Sequence, residues 1–385
     1  MTHTIDVLSA KLKQDWKWWN YGNQYDGIQK ECEDALLAIG ETRSTTTAEY
    51  ALIFYFDKRS LAPWITSKSR ELAKSYIESC SDVMEIAEAV AERTLLAYKK
   101  LGITTEVTPS GHRSISHIKI RENLIGKSYT SSLDKREQFK KDFITSIGSL
   151  NYLIAKSENI EQSWKYILPL LLVFLEDSDM MVKREAALSL NNLLERLESG
   201  TNILIKSQVM PLLINAIQPL LLAIPSLTPA DQTIVILPIA YETIFKIYKI
   251  GISKPLERYM ALDSLLHDTI LPSLTKCKES IPVSETLLKV LQNFLVECDI
   301  YATVVAKPII YTLLTILMDP YVAFAIPIVD GCVEVVTECL LKVKSKDKYK
   351  YDLDACIRTL RRRISNLSES TDSKMRELEC IAGIQ

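Results

Sequence analysis

Residues 166–197 read YILPLLLVFLEDSDMMVKREAALSLNNLLERL, and this stretch is the most informative part of the sequence about the fold. Its first ten residues are almost wholly apolar, as in a helix that is buried on most sides. The acidic turn Glu176–Asp179 follows, and Asp179 is placed to cap the next helix. Two helices joined by so tight a turn cannot bury their apolar faces alone. The stretch therefore predicts a helical hairpin with further hairpins stacked on each side of it.

The second helix of this hairpin has two distinct faces. Its apolar stripe consists of Val182, Ala186, Leu190, Leu193, Leu194 and Leu197. The opposite face carries Lys183, Arg184, Glu185, Asn191, Asn192, Glu195 and Arg196. This pattern predicts that Leu190, in the middle of the stripe, is fully buried, and that the polar face lies away from the core.

A proline flanked by apolar residues recurs along the rest of the chain. It occurs at Pro169, Pro211, Pro238 and Pro272, with a looser copy at Pro308. The spacing is 42 residues from Pro169 to Pro211, 34 from Pro238 to Pro272 and 36 from Pro272 to Pro308. A period near ~40 residues is typical of HEAT and armadillo repeats. The sequence therefore predicts an all-α protein, a HEAT/armadillo-like α-solenoid of stacked helical hairpins.

Four regions follow from the same patterns. Residues 1–104 show helical spacing of apolar residues and form an irregular helical N-terminal region. Residues 105–132 lose this periodicity and collect proline, glycine, serine and threonine, which indicates a loop or linker. The repeat array covers 133–365, and 366–385 is a polar C-terminal tail with one short helix.

The composition restricts the function. A chain with 47% hydrophobic and 24% charged residues is a folded globular protein. Its net charge of −2 provides no basic excess for nucleic acid, so nucleic acid is not expected as a partner. The eight cysteines show no C-x-x-C spacing and most lie in apolar runs, so we expect buried thiols in a reducing, intracellular compartment. The expected location is cytoplasmic and also nuclear.

The sequence contains no complete motif for catalysis or for binding a cofactor or a metal. Gly126-Lys127-Ser128 resembles the end of a phosphate-binding loop, but the glycine that this loop requires five residues earlier is Arg121. His112 and His117 have no carboxylate or cysteine at ligand spacing. The uncharged segment 207–230 is long enough to span a bilayer, but its prolines, among them Pro211, Pro219 and Pro225, favour a buried repeat helix. We therefore expect a non-enzymatic protein without cofactor, metal or membrane span.

Three groups of residues are candidates for contacts with a partner protein. Residues 300–341 carry five charged residues in 42, which is 12% against 24% for the whole chain. Depletion of charge with aromatic residues is typical of an interface core. The aromatic residues here are Tyr311, Tyr321 and Phe324. The other candidates are a basic run, Arg361, Arg362 and Arg363, which suits an acidic partner segment, and the adjacent aromatic pair Trp18 and Trp19.

The order of the motifs resembles a known family. The string Asp177…Val182-Lys183…Ala186-Ala187…Leu190…Leu193 resembles a HEAT unit. Over 160–365, YILPLLLVFLEDSD is followed by LPIAYETIFKI, LHDTILPSLTKC and the 302–342 hairpin, an order similar to that of the Tel-Two-interacting protein Two family. The chain departs from this pattern at 360–364, where Leu-Arg-Arg-Arg-Ile keeps only the Arg-Ile of the family's Trp-Pro-Arg-Ile-like string.

The resemblance implies a function. Members of this family are the smallest subunit of the TTT co-chaperone complex. The resemblance therefore implies that this chain associates tightly with the two larger helical subunits. It also implies that the complex helps a heat-shock chaperone to mature phosphatidylinositol-3-kinase-related kinases of the TOR and ATM/ATR class. The alternative is another HEAT-repeat adaptor, in nuclear transport or membrane trafficking, although this chain is shorter and more nearly neutral than a transport receptor. An unrecognised enzyme would require a spatial cluster of His, Cys and carboxylates.

Overall fold

The structure, a computed structural model, describes residues 7–10, 12, 26–39, 44–100, 142–198, 203–364 and 368–384. Within these ranges all regular secondary structure is helical. The chain forms two compact units, Met1–Ala216 and Ile217–Gln385. The prediction of an all-α fold is therefore confirmed for the described residues. The predicted linker, 105–132, lies outside them.

The N-terminal unit contains α1 (Asp26–Ile39), α2 (Thr45–Leu52), α3 (Ser67–Ser79), α4 (Val83–Lys100), α5 (Phe143–Lys156), α6 (Ile160–Leu175), α7 (Met180–Glu198) and α8 (Ile203–Ser207). Helices α2, α4, α5 and α7 pack successively against one another, and α6 packs on α4, α5 and α7. The predicted irregular region and the clearest hairpin therefore share one core. Helix α9 (Met210–Leu221) contains the boundary between the units.

The C-terminal unit contains α10 (Ala230–Gly251), α11 (Pro255–Leu265), α12 (Leu271–Lys276), α13 (Ile281–Cys298), α14 (Ala302–Leu317), α15 (Ile326–Lys342), α16 (Asp347–Arg363) and α17 (Glu369–Ala382). Helices α10, α13, α15 and α17 pack in sequence as one layer, and α12, α14 and α16 pack in sequence as a second. This two-layer stacking is the arrangement of an α-solenoid, as predicted.

Residues in and near the turn stabilise the hairpin formed by residues 166–197. The backbone N–H of Met181 donates to Asp179 Oδ1 over 2.9 Å, so Asp179 caps α7 as predicted. The basic residue six positions after Asp177 also has a structural role, because Lys183 Nζ donates to the carbonyl oxygen of Leu175 at the end of α6. Leu190 is 0% exposed, which confirms its predicted burial.

The polar face of α7 differs from the prediction, because much of it is buried. Lys183, Arg184, Glu185 and Asn191 are all less than a tenth exposed. Arg184 forms an ion pair with Glu185, with 2.6 Å between Nη1 and Oε1, and its Nη2 donates to the carbonyl oxygen of Arg59 over 2.8 Å. The segment before α3 therefore covers this face. Burial also raises the pKa of the Glu185 carboxyl group.

The recurring prolines occupy two kinds of position. Pro169, Pro238 and Pro308 lie inside α6, α10 and α14, whereas Pro211 and Pro272 are the second residues of α9 and α12. A π-helical turn, Leu266–Ile270, precedes Pro272, and the N–H of Leu271 donates to the carbonyl oxygen of Leu266, five residues earlier. Local widening of this kind accommodates the missing proline donor.

The apolar segments do not form a single long helix. Within 207–230, α9 has only 12 residues, and positive φ angles at Gln208 and Ser226 flank it. Ile281–Leu317 is long and apolar enough to cross a membrane by length and composition, but it consists of α13, a 3₁₀ turn and α14. Half of its most apolar window is buried in the unit.

The C-terminal segment is more ordered than a polar tail with one short helix. Helix α17 has 14 residues and packs against α15 and α16. Its inner face buries Met375 and Leu378, and Ser368 caps its N-terminus by accepting from the N–H of Thr371 over 3.1 Å. Helix α17 therefore closes the stack of the C-terminal unit by covering a face of α15 that would otherwise be exposed.

Candidate partner-binding surface

Three exposed apolar residues lie along the outer face of α14, the last of them at its C-terminal cap. Val304, Tyr311 and Met318 lie seven residues apart, a spacing that places them on one face, and all three are exposed. The charged residue on this face is Lys307. The opposite face is buried in the unit. The charge depletion noted in the sequence therefore has two origins, a buried inner face and an outer face on which Lys307 is the one charged residue.

A 3₁₀ turn, Pro320–Phe324, follows α14 and presents two aromatic side chains to solvent. Tyr321 is 81% exposed and Phe324 is 86% exposed, whereas Val322 between them is buried. Exposed apolar side chains that lie close together, unlike single ones, mark candidate sites for a partner protein. These two residues are the most accessible members of the predicted aromatic group.

Contacts from three directions hold this turn in place. Asp319 Oδ1 accepts from the N–H of Tyr321 over 3.0 Å, and Asp319 Oδ2 lies 2.6 Å from Lys278 Nζ. The hydrogen bond from Lys278, followed by that from the Tyr321 N–H, lowers the pKa of the Asp319 carboxyl group. From the other side, Arg363 Nη1 donates to the carbonyl oxygen of Met318 over 2.7 Å. The exposed aromatic residues are thus displayed by a fixed backbone.

A groove of about 600 Å³ lies beside this turn, between the start of α13 and the end of α14. Its lining is mostly apolar and includes Ile281, Ile316, Val322, Phe324 and Ala325. Such a groove, with two aromatic residues at its border, can bury apolar side chains of a docked protein segment.

Two of the predicted aromatic contact residues, Tyr321 and Phe324, line this groove. Tyr311 lies on the outer face of α14. Its Oη donates to Asp352 Oδ2 over 3.0 Å, and its ring packs near Tyr349. Trp18 and Trp19 lie outside the described residues. The role of all five in partner binding stays a prediction.

The three adjacent arginines do not act as one basic patch. Arg361 pairs with Glu379 over 2.7 Å and with Asp372 over 3.3 Å, both on α17. Arg363 supports the turn at Met318. Arg362 is exposed and has no ion pair within the described part of the chain. Of the three, Arg362 is therefore the one whose guanidinium group is available to an acidic partner segment.

Sequence reasoning missed several parts of this surface. Met318 belongs to it, and the heptad spacing from Val304 and Tyr311 would have revealed this. The ion pair of Lys278 with Asp319 joins residues 41 positions apart, and no local pattern indicates it.

Over the described ranges, no three His, Cys, Asp or Glu side chains form a group that could hold a metal ion. His267 lies on the surface, with its Nε2 atom 3.8 Å from Asp263 Oδ1.

The thiols provide a test of the packing. Cys32, Cys277, Cys298, Cys332, Cys339 and Cys356 are buried, and Cys380 is exposed. Burial raises the pKa of the Cys298 and Cys339 thiols to about 12, which disfavours the reactive thiolate. We expect a thiol reagent at pH 8 to modify Cys380 first and the six buried thiols only after denaturation, as measured by mass spectrometry of peptides. Modification of a buried thiol as fast as Cys380 would contradict this packing.

Comparison with known proteins connects this geometry to a family. Searches of curated proteins and of solved structures gave no significant match. The family model of the Tti2 family matches residues 50–324, which include most of both units and the turn with Tyr321 and Phe324. This match covers more than half of the chain and agrees with the order of motifs between 160 and 365. The chain belongs to the Tti2 family, the non-enzymatic TTT-complex subunits that the sequence resembles.

Proposed function

We propose that this protein is the smallest scaffold subunit of the TTT co-chaperone complex. In this function it associates with the two larger helical subunits and helps the heat-shock chaperone machinery to mature phosphatidylinositol-3-kinase-related kinases of the TOR and ATM/ATR class. Family membership supports the role as a subunit. An all-helical, stacked fold supports a rigid scaffold, because solenoids provide long surfaces for other proteins.

We propose further that a larger helical subunit docks on the outer face of α14 and the groove beside it. The observation that carries this proposal is the exposure of Tyr321 and Phe324 on a turn fixed by Lys278 and Arg363. Aromatic residues held in place lose little conformational entropy when a partner covers them, so they contribute strongly to binding. The outer face of α14, with Lys307 as its one charged residue, extends the area that a partner helix can cover.

The test is co-purification of the tagged full-length chain from cells. Replacing Tyr321 and Phe324 together by serine is expected to lower recovery of the larger subunits at least about tenfold, because hot-spot residues each contribute about 2 kcal/mol or more. Both side chains are exposed, so the melting temperature should stay unchanged.

The matched control is Leu227→Ser with Leu256→Ser, which removes two exposed apolar side chains elsewhere in the same unit. It should leave recovery at the wild-type level. Equal recovery with both variants would exclude the groove as the docking site, and the role as a subunit would then depend on another surface.

A further inference from the structure

A second surface lies at the other ends of α13 and α15, away from the groove. The chain turns between α13 and α14 at Asp299–Tyr301, and between α15 and α16 at 343–346. Lys342 Nζ donates to the carbonyl oxygen of Leu295 over 2.9 Å, which holds the end of α15 against the end of α13. The two turns therefore belong to one edge of the C-terminal unit, called here the lysine edge.

The lysine edge concentrates four positively charged side chains within seven residues, ahead of Asp352 and Asp354 on α16. Lys344, Lys346, Lys348 and Lys350 alternate along the chain, and the acidic residue among them is Asp347. None of the four forms an ion pair with the described residues. Other cations of this unit do, for example Lys246 with Glu242 and Lys374 with Glu334. A chain of net charge −2 thus displays a local excess of three positive charges between 344 and 350.

The position of these lysines is unfavourable for the isolated helix. Helix α16 begins at Asp347, so Lys348 and Lys350 lie in its first turn. Backbone N–H groups already make this end of a helix positive, and cations there are destabilising. An anionic group bound at the edge would relieve this repulsion and would interact with both the lysines and the helix terminus.

Apolar side chains are exposed on the same edge. Leu341 is 62% exposed one position before Lys342, and Val296 is exposed one position after Leu295, the residue that Lys342 contacts. Ile300 in the α13–α14 turn and Tyr351 near the start of α16 are more exposed still. The edge therefore combines uncompensated cations with aliphatic and aromatic side chains.

We propose that the lysine edge binds an acidic polypeptide segment that carries apolar side chains between its carboxylates. The lysines attract the carboxylates, and Leu341, Val296 and Ile300 cover the apolar side chains. A uniformly anionic membrane or a nucleic acid fits less well, because Asp299 in the α13–α14 turn and Asp347, the first residue of α16, are exposed and would repel it. An acidic polypeptide can bind with its carboxylates placed away from Asp299 and Asp347. This inference does not depend on the proposed function, because it concerns a different surface.

The probe is a fluorescent synthetic peptide of about 16 residues, with glutamate and leucine at helical spacing, titrated against the purified full-length chain. We expect saturable binding, measured by fluorescence anisotropy, that weakens as salt rises from 50 to 300 mM. A variant with Lys344, Lys346, Lys348 and Lys350 replaced by glutamate is expected to bind at least about tenfold more weakly. Leu341→Asn with Tyr351→Asn should weaken binding and leave its salt dependence unchanged.

The control variant makes the same four charge reversals at lysines that are exposed elsewhere, namely Lys58, Lys74, Lys276 and Lys289. Both variants change the net charge equally, and circular dichroism should show equal helix content. Equal loss of binding in both would show a non-specific charge effect and overturn the proposal. Tighter binding to phosphatidylserine vesicles or to duplex DNA than to the peptide would also overturn it.

Discussion

Replacing Gly148 with alanine is expected to destabilise the N-terminal unit by about 3 kcal/mol, because the added methyl group has no space. Gly148 lies in the middle of α5, where α5 crosses the end of α2. A Cβ atom there would overlap the carbonyl oxygen of Leu52. That oxygen accepts from the N–H of Tyr55 over 2.9 Å, so it is part of the backbone that ends α2 and cannot move as a side chain can.

The sign of this effect distinguishes the packing from simple helix propensity. In an exposed helix interior, glycine to alanine stabilises by ~1 kcal/mol, so a destabilised variant requires the close approach of α2 and α5. Chemical denaturation followed by tryptophan fluorescence measures the N-terminal unit alone, because all five tryptophans lie within the first 164 residues.

Two glycines are suitable controls for this substitution. Gly27→Ala, in the same unit, meets open space and should change the stability of the unit little. Gly331→Ala, in α15, meets the Cδ1 atom of Leu288 at 2.8 Å, a flexible side-chain end that can shift. Its effect, followed by circular dichroism, should be small. An N-terminal unit stabilised by Gly148→Ala would show that α2 and α5 do not cross at this glycine.

Leu190→Ala is expected to cost about 2–5 kcal/mol of the free energy of unfolding of the same unit. Leu190 is 0% exposed in α7, which packs against both α5 and α6. Removing its side chain leaves a cavity between α7 and the helices packed against it. Because each stacked helix is stabilised by its neighbours, the destabilisation should extend through the unit.

The same fluorescence-monitored denaturation measures this loss. The control is Leu96→Ala in α4, a leucine that is half exposed and should cost less than about 0.5 kcal/mol. If the denaturation midpoint of Leu190→Ala were the same as that of the wild type, Leu190 would not lie on the buried face of α7.

The parts of the fold that were predictable from sequence depend on local patterns. The cap at Asp179 and the burial of Leu190 follow from residues within one hairpin, and the structure confirms both. The polar face of α7 was not predictable, because its cover comes from Arg59, 125 residues before Arg184. The boundary between the units at Ala216 was also missed, since α9 continues through it without a change in composition.

The candidate surface was predictable only in part. Charge depletion and aromatic residues between 300 and 341 pointed to the stretch in which the structure exposes Tyr321 and Phe324, because a helix with few charged residues is visible in the sequence. That this stretch binds a partner stays a prediction. Which aromatic residues are exposed depends on contacts over long distances, such as Lys278 with Asp319 and Arg363 with Met318. Likewise, the separation of the basic run into paired and exposed arginines depends on α17, which the sequence indicated only as one short helix.

Quantitative mass spectrometry of the proteins that co-purify with the tagged full-length chain, expressed at its endogenous level, tests the proposed role as a scaffold subunit of the TTT complex. We predict two large helical subunits in near-equal amount to the chain, with heat-shock chaperones and kinases of the TOR and ATM class in smaller amount. Nuclear-transport or vesicle-coat proteins as the stoichiometric partners, with neither large subunit present, would contradict the account.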